Sequence, residues 1–195
     1  MPPPNALCVR TLLLILHRWA GLTIALALVV TGLTGAILPY QRELSHWLAA
    51  DVWKVERSDQ AALPLSGLEL ARRVEAETGG VVSYVPLTPA AERTKAIFVS
   101  PQPRGPPLGY DEVFVDPYSG QIRARVTYGD LRDGAVNWMP FLVTFHYSLA
   151  AGEWGRFLFG MAALVWFLVA LIGLALSLPK KIAGRGLWRR WRPAW

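Results

Sequence analysis

Two uninterrupted apolar runs, Trp19 to Leu38 and Phe157 to Leu178, fix what this chain can become. At about 1.5 Å rise per residue, their 20 and 22 residues each extend roughly 30 Å, the thickness of a hydrocarbon core. Neither run contains Asp, Glu, Lys or Arg, and the polar stretch between them holds all 14 acidic residues of the chain. The expected fold class is a membrane α-helical protein, with two transmembrane helices and a small α+β domain inserted between them.

Lys and Arg near the end of a membrane helix resist translocation, so their placement sets orientation. Arg10 and Arg18 flank the first run, and Lys180, Lys181, Arg185, Arg189, Arg190 and Arg192 follow the second. Both termini are therefore expected in the cytoplasm and the central domain outside. The net charge of +6 is lopsided, with residues 41–155 carrying −3 and the remainder +9. This imbalance reflects topology and contact with anionic lipid, not nucleic acid. The tail from Leu187 to Trp195 interleaves Arg and Trp, and most of the other tryptophans fall near the expected interfaces as an aromatic belt.

The basic start and apolar core resemble a secretory signal, but the core is too long, so the run reads as an uncleaved anchor. Cys8 is the only cysteine, which leaves the outer domain without an internal disulfide. The expected organisation is an N-terminal segment (1–11), a first transmembrane helix (12–40), the outer α+β domain (41–137), an interfacial helix or connector (138–156), a second transmembrane helix (157–178) and a basic aromatic tail (179–195).

Within the outer domain, Leu65, Leu68, Leu70, Ala71 and Val74 recur at near-helical spacing behind Ser66, and Gly79-Gly80 ends the pattern. This predicts a capped helix over about 66–78. Short Val-, Tyr-, Ile- and Phe-rich runs at 81–87, 95–100 and 112–116, resuming at 121–126, predict one antiparallel sheet. Asp116-Pro117-Tyr118-Ser119-Gly120 is a turn in which Asp caps, Pro presets φ and Gly takes the left-handed position. The acidic pair Asp111-Glu112 reads as a solvated edge.

The string Val113-Phe114-Val115-Asp116-Pro117-Tyr118-Ser119-Gly120-Gln121-Ile122 resembles the strand-turn-strand signature of the PepSY domain. Its flanks strengthen the likeness: Leu16-His17-Arg18-Trp19-Ala20-Gly21-Leu22, Thr31-Gly32-Leu33-Thr34-Gly35, Phe145-His146-Tyr147-Ser148-Leu149 and Gly152-Glu153-Trp154-Gly155-Arg156 resemble the PepSY-associated transmembrane helix family. The resemblance covers about residues 10–182. It implies a bacterial inner-membrane protein with a periplasmic domain and kinship with iron-regulated membrane proteins, some of which are b-haem reductases that release iron from siderophores. Larger members continue with a further pair of helices. This chain is then either a compact two-helix member acting as an oligomer or the front half of a longer system.

In that setting the three histidines, His17, His46 and His146, are the candidate axial ligands of haem b, and Arg156 is a candidate partner for a haem propionate. His46 and His146 fall at the outer face. His17 lies at the inner face, where it would pair with His17 of a second subunit. Each has a plain competitor as an interfacial anchor, which is favoured for His46 beside Trp47; Arg156 has the competing role of snorkelling to phosphate. Small residues four apart, Thr31 with Gly35 and Gly32 with Ala36, suit close helix packing, and they also leave room for a flat macrocycle, as do Gly152, Gly155 and Gly160.

There is no Walker loop, zinc helix, nucleophile elbow or dinucleotide fingerprint. Electrons for a ferric-chelate or siderophore reductase would come from quinol or a partner reductase. The competing expectations are a membrane-anchored PepSY module that binds a peptidase or other partner protein, and an accessory subunit without redox activity.

Overall fold

The computed structural model describes residues 4–55, 63–87 and 93–177. The side chains of Cys8 and Arg10, the end of the second run at Leu178 and the basic tail lie outside the described part. The chain divides into two compact units, Met1–Leu33 with Tyr147–Trp195 and Thr34–His146.

The first unit contains most of helix α1 (Pro4–Ile37) and all of α6 (Gly152–Ser177). Both are long and apolar enough to span a membrane, and only 11% and 6% of their apolar windows are buried by protein. A helix in the core of a soluble protein would be mostly covered; these present Leu26, Leu33, Phe157 and Phe167 outward, as lipid-facing helices do. Just before and at the start of α6 the chain turns through Leu149, Ala150 and Gly152, all at positive φ. Gly155 is then pressed onto Ser148: a Cβ there would lie 1.7 Å from the Ser148 carbonyl oxygen.

The second unit continues from α1 through a short 3₁₀ turn (Leu38–Tyr40) into α2 (Gln41–Leu48) and α3 (Ala50–Trp53). Then come α4 (Gly67–Thr78) and four strands, β1 (Val81–Tyr84), β2 (Lys95–Ser100), β3 (Glu112–Val115) and β4 (Ile122–Val126). They form one antiparallel sheet in the order β1-β2-β3-β4. Two membrane-spanning helices thus flank a small α+β domain.

Helix α4 starts where Ser66 accepts a hydrogen bond from the Glu69 amide at 3.2 Å and stops where Gly79 turns left-handed at φ 67°. Replacing Ser66 with Ala should cost about 1 kcal/mol, read as a lower melting temperature of the full chain in detergent, while Ser66→Asp, which keeps an acceptor, should lose little. Equal losses in both variants would show that the cap contributes nothing. Leu70 and Val74, one turn apart, press onto Ile97, Val99, Val113 and Val115, which share one face of the sheet by strand alternation. Each of these side chains is at most 2% exposed, and each contributes roughly 1.5–3 kcal/mol by its burial.

The Asp116 turn forms with Asp116 Oδ1 accepting from the amides of Tyr118 and Ser119 at 2.9 and 3.2 Å, and Gly120 at φ 75°. Arg73 on α4 donates to the Ser119 carbonyl at 2.8 Å and so ties helix to turn. The opposite face of the sheet carries Phe114 and Val126, covered by Ala49 and Val136 with Val52 and Trp53 beside them. Thr94 fastens this cover to the sheet, its amide donating to Trp53 O at 3.1 Å and its hydroxyl to Val52 O at 3.0 Å.

Candidate functional site

The cover on the second face is incomplete. It leaves a groove of about 630 Å³, bounded by α2 and α3 on one side and by β1, β2 and β3 on the other. That volume is within the ordinary range of small-molecule sites. Tyr84, Phe98 and Tyr128 form a continuous aromatic strip along it, with ring centroids 6.1 and 5.5 Å apart, and Trp53 stands edge-on to Phe114 at 4.9 Å. Its lining also includes the titratable side chains of Arg42, His46, Arg93, Lys95 and Glu112 and the neutral polar Gln41, Ser45 and Thr94.

Alternation along β3 places Glu112 on the same face as Phe114. The solvated edge expected for Asp111-Glu112 therefore holds for Asp111 and fails for Glu112, which is 4% exposed. Among the described residues neither Glu112 Oε2 nor Trp53 Nε1 has a hydrogen-bond partner, although both atoms are buried. Burial, reinforced by the neighbouring Asp111 carboxylate, pushes the Glu112 carboxyl up to about 7. Burial also lowers the Lys95 ammonium from its ordinary value.

His46 lies in this groove, its ring 5.2 Å from Trp53, with Arg93 lining the same corner. The other two histidines have different surroundings. His146 is on α5 (Trp138–Ser148), a helix anchored at its start by the fully buried Asn137, whose Nδ2 donates to the carbonyls of Thr127 and Asp130 at 2.9 and 2.8 Å. The His146 ring meets α1 at Thr34, with Nδ1 2.8 Å from Oγ1, and its Cε1 would be 3.0 Å from a Cβ at Gly35. His17, on the other unit, lies against α6 in the same manner. Its Nδ1 is 3.1 Å from the Val169 carbonyl, and its Cε1 would be 2.9 Å from a Cβ at Gly173.

A carbonyl can only accept, so in the Val169 bond His17 Nδ1 is the donor. Each of the two rings thus rests on a glycine of the opposing helix. Gly35 serves that contact, whereas Gly32 and Gly160 have open space around them. Arg156 pairs with Glu153 one turn earlier on α6. Among the described residues no three His, Cys, Asp or Glu side chains converge as a metal-binding group.

Sequence reading alone missed Trp53, Glu112, Arg42 and Arg93 as members of one site. The available signal was the two-residue spacing of Glu112 and Phe114 in a strand whose Val113 and Val115 face the other way. In the comparisons with known proteins, a family model described as PepSY-associated TM region matches residues 14–195. No curated protein matches the chain.

Proposed function

Because this chain belongs to the PepSY-associated TM family, we propose that it is a membrane-anchored binding module, with the inserted domain held on the periplasmic side of a bacterial inner membrane and both termini in the cytoplasm. The observation that carries this reading is the groove, where Trp53 Nε1 and Glu112 Oε2 are buried without partners among the described residues. Partnerless buried polar atoms are costly in a native fold, and a ligand that supplies the missing bonds removes the cost. Benzoylphenylalanine at Tyr84 in the groove, irradiated in intact membranes, should give an adduct, seen as a gel shift for a protein or a mass gain for a small molecule. The same residue at Leu68, exposed on α4, should give none. Equal labelling at both positions, or none at Tyr84, would count against the module.

A second reading, a haem b protein assisting reduction of ferric siderophores or other ferric chelates, is supported by the two histidine–glycine contacts. Imidazole is the right donor type for haem iron, and Nδ1 of each ring is held by a partner, which fixes the ring where the opposing glycine lets it lie close against the helix. His146 with His46 would hold one haem group at the outer face and His17 with His17 of a second subunit another at the inner face, with Arg156 a candidate propionate partner. Haem would supply one-electron transfer, fed by quinol or a partner reductase, in a homo-oligomer or with an additional membrane subunit. Purified protein expressed with haem supply should then show sharp reduced-minus-oxidised α and Soret bands, and His146→Ala should shift or abolish them with membrane insertion intact. An unchanged spectrum in His146→Ala would remove that residue from the site, and a flat spectrum in the parent would remove this reading.

A further inference from the structure

The groove's chemistry narrows what fits it. Three cations line it, Arg42, Arg93 and Lys95, against one carboxyl, Glu112, so the lining carries a net positive charge even when Glu112 is ionised. The indole N–H of Trp53 is a buried donor without an acceptor among the described residues. The walls are aromatic, and the groove begins at Pro39, two residues past the end of α1. Cations and the one buried indole donor next to a flat apolar wall suit a molecule with an anionic head and an apolar body.

We infer that this groove is the site of a small amphiphilic anion, a carboxylate or phosphate monoester on an aromatic or acyl body, whose oxygens take the Trp53 N–H, the Arg42 and Arg93 guanidiniums and the Glu112 carboxyl. The inference rests on reading the domain as a binding module and names the ligand class of that site. Glu112 decides its pH dependence. An ionised Glu112 repels an anion, whereas a protonated one donates to it. The charge acting on Glu112 is that of Asp111, the residue before its strand, and the groove it lines also holds Arg42 and His46 of α2, Trp53 of α3, Arg93, Lys95 of β2 and Tyr128. Of these, His46 is held below its ordinary imidazole value by burial and by the charges of Arg93 and Arg42. With the Glu112 carboxyl at about 7, its protonated fraction falls about tenfold between about pH 6 and pH 8, and so should the affinity.

The chemistry has two sources, a soluble aromatic acid and a lipid with an anionic head. The test is calorimetric titration of the full chain in phosphatidylcholine nanodiscs with 2-naphthoate and, separately, with oleoyl lysophosphatidate, using 2-naphthamide as the uncharged control. At about pH 6 at least one anion should bind saturably and at least about tenfold tighter than the amide, and the one that binds identifies the source. Arg42→Ala with Arg93→Ala should weaken binding at least about tenfold, and Glu112→Gln should bind with little dependence on pH. Absence of saturable binding by both anions, unchanged affinity in the double variant, or a pH slope retained in full by Glu112→Gln would overturn the proposal. If the Tyr84 adduct forms while neither anion binds, the ligand class is wrong and the module stands; if both fail, both fall.

Discussion

Gly155→Ala should be strongly destabilising, while Gly160→Ala, five residues along the same helix, should be neutral or slightly stabilising. At Gly155 the added methyl would lie 1.7 Å from the Ser148 carbonyl oxygen and 2.6 Å from its carbon, and Ser148 is fully buried. A backbone carbonyl cannot rotate aside as a side-chain tip can, so α6 must move from the turn through Leu149 and Ala150, which is itself held at positive φ. Overpacking of this kind costs about 1–3 kcal/mol, and an overlap with backbone belongs at the upper end. At Gly160 nothing lies within 4 Å, and Ala gains up to about 1 kcal/mol of helix propensity over Gly. Thermal unfolding of the two full-length variants in one detergent reads the contrast. Equal midpoints would mean that the contact of Gly155 with the Ser148 carbonyl is not tightly packed.

The elements that could be read from sequence are those specified by local chemistry. Ser66 and Gly79 bracket α4 because a cap and a left-handed stop act within one turn, and the Asp116 turn forms because its bonds are made inside five residues. β2 spans the expected 95–100, whereas β1 ends at Tyr84, after a register irregularity between Val82 and Tyr84. The site was less legible because it is assembled from distant segments. Whether Glu112 is solvated depends on α2 and α3, some sixty residues earlier, folding over its face of the sheet, and no local pattern in β3 reports that. His17 and His146 stood out as ionisable residues beside membrane helices, but their glycine partners, Gly173 and Gly35, are pairings across the chain that spacing within either helix does not encode.

Glu112→Gln should make the protein more stable at about pH 8 and leave it little changed at about pH 4.5. The native carboxyl is raised from an unfolded value of 4.5 to about 7, so the folded state holds a proton that the unfolded chain has released. A raised carboxyl contributes stability that is fully present below about 4.5 and is lost as pH climbs through about 7. The interval converts to roughly 3 kcal/mol, an upper bound because water entering the groove relaxes the desolvation. Asp130 works in the opposite sense, held at about 2 chiefly by its hydrogen bonds to Arg132, but it is the same in both proteins and cancels from the difference. Melting wild type and Glu112→Gln in parallel across that range isolates the group: the gap between them should open with rising pH, and a constant gap would place Glu112 in water. An acid that folding penalises at neutral pH, in a groove that three cations also line and where the Trp53 indole N–H has no acceptor among the described residues, is poorly explained by stability alone. The same burial that makes Glu112 costly to ionise keeps it protonated, and therefore able to donate, when an anion enters the groove.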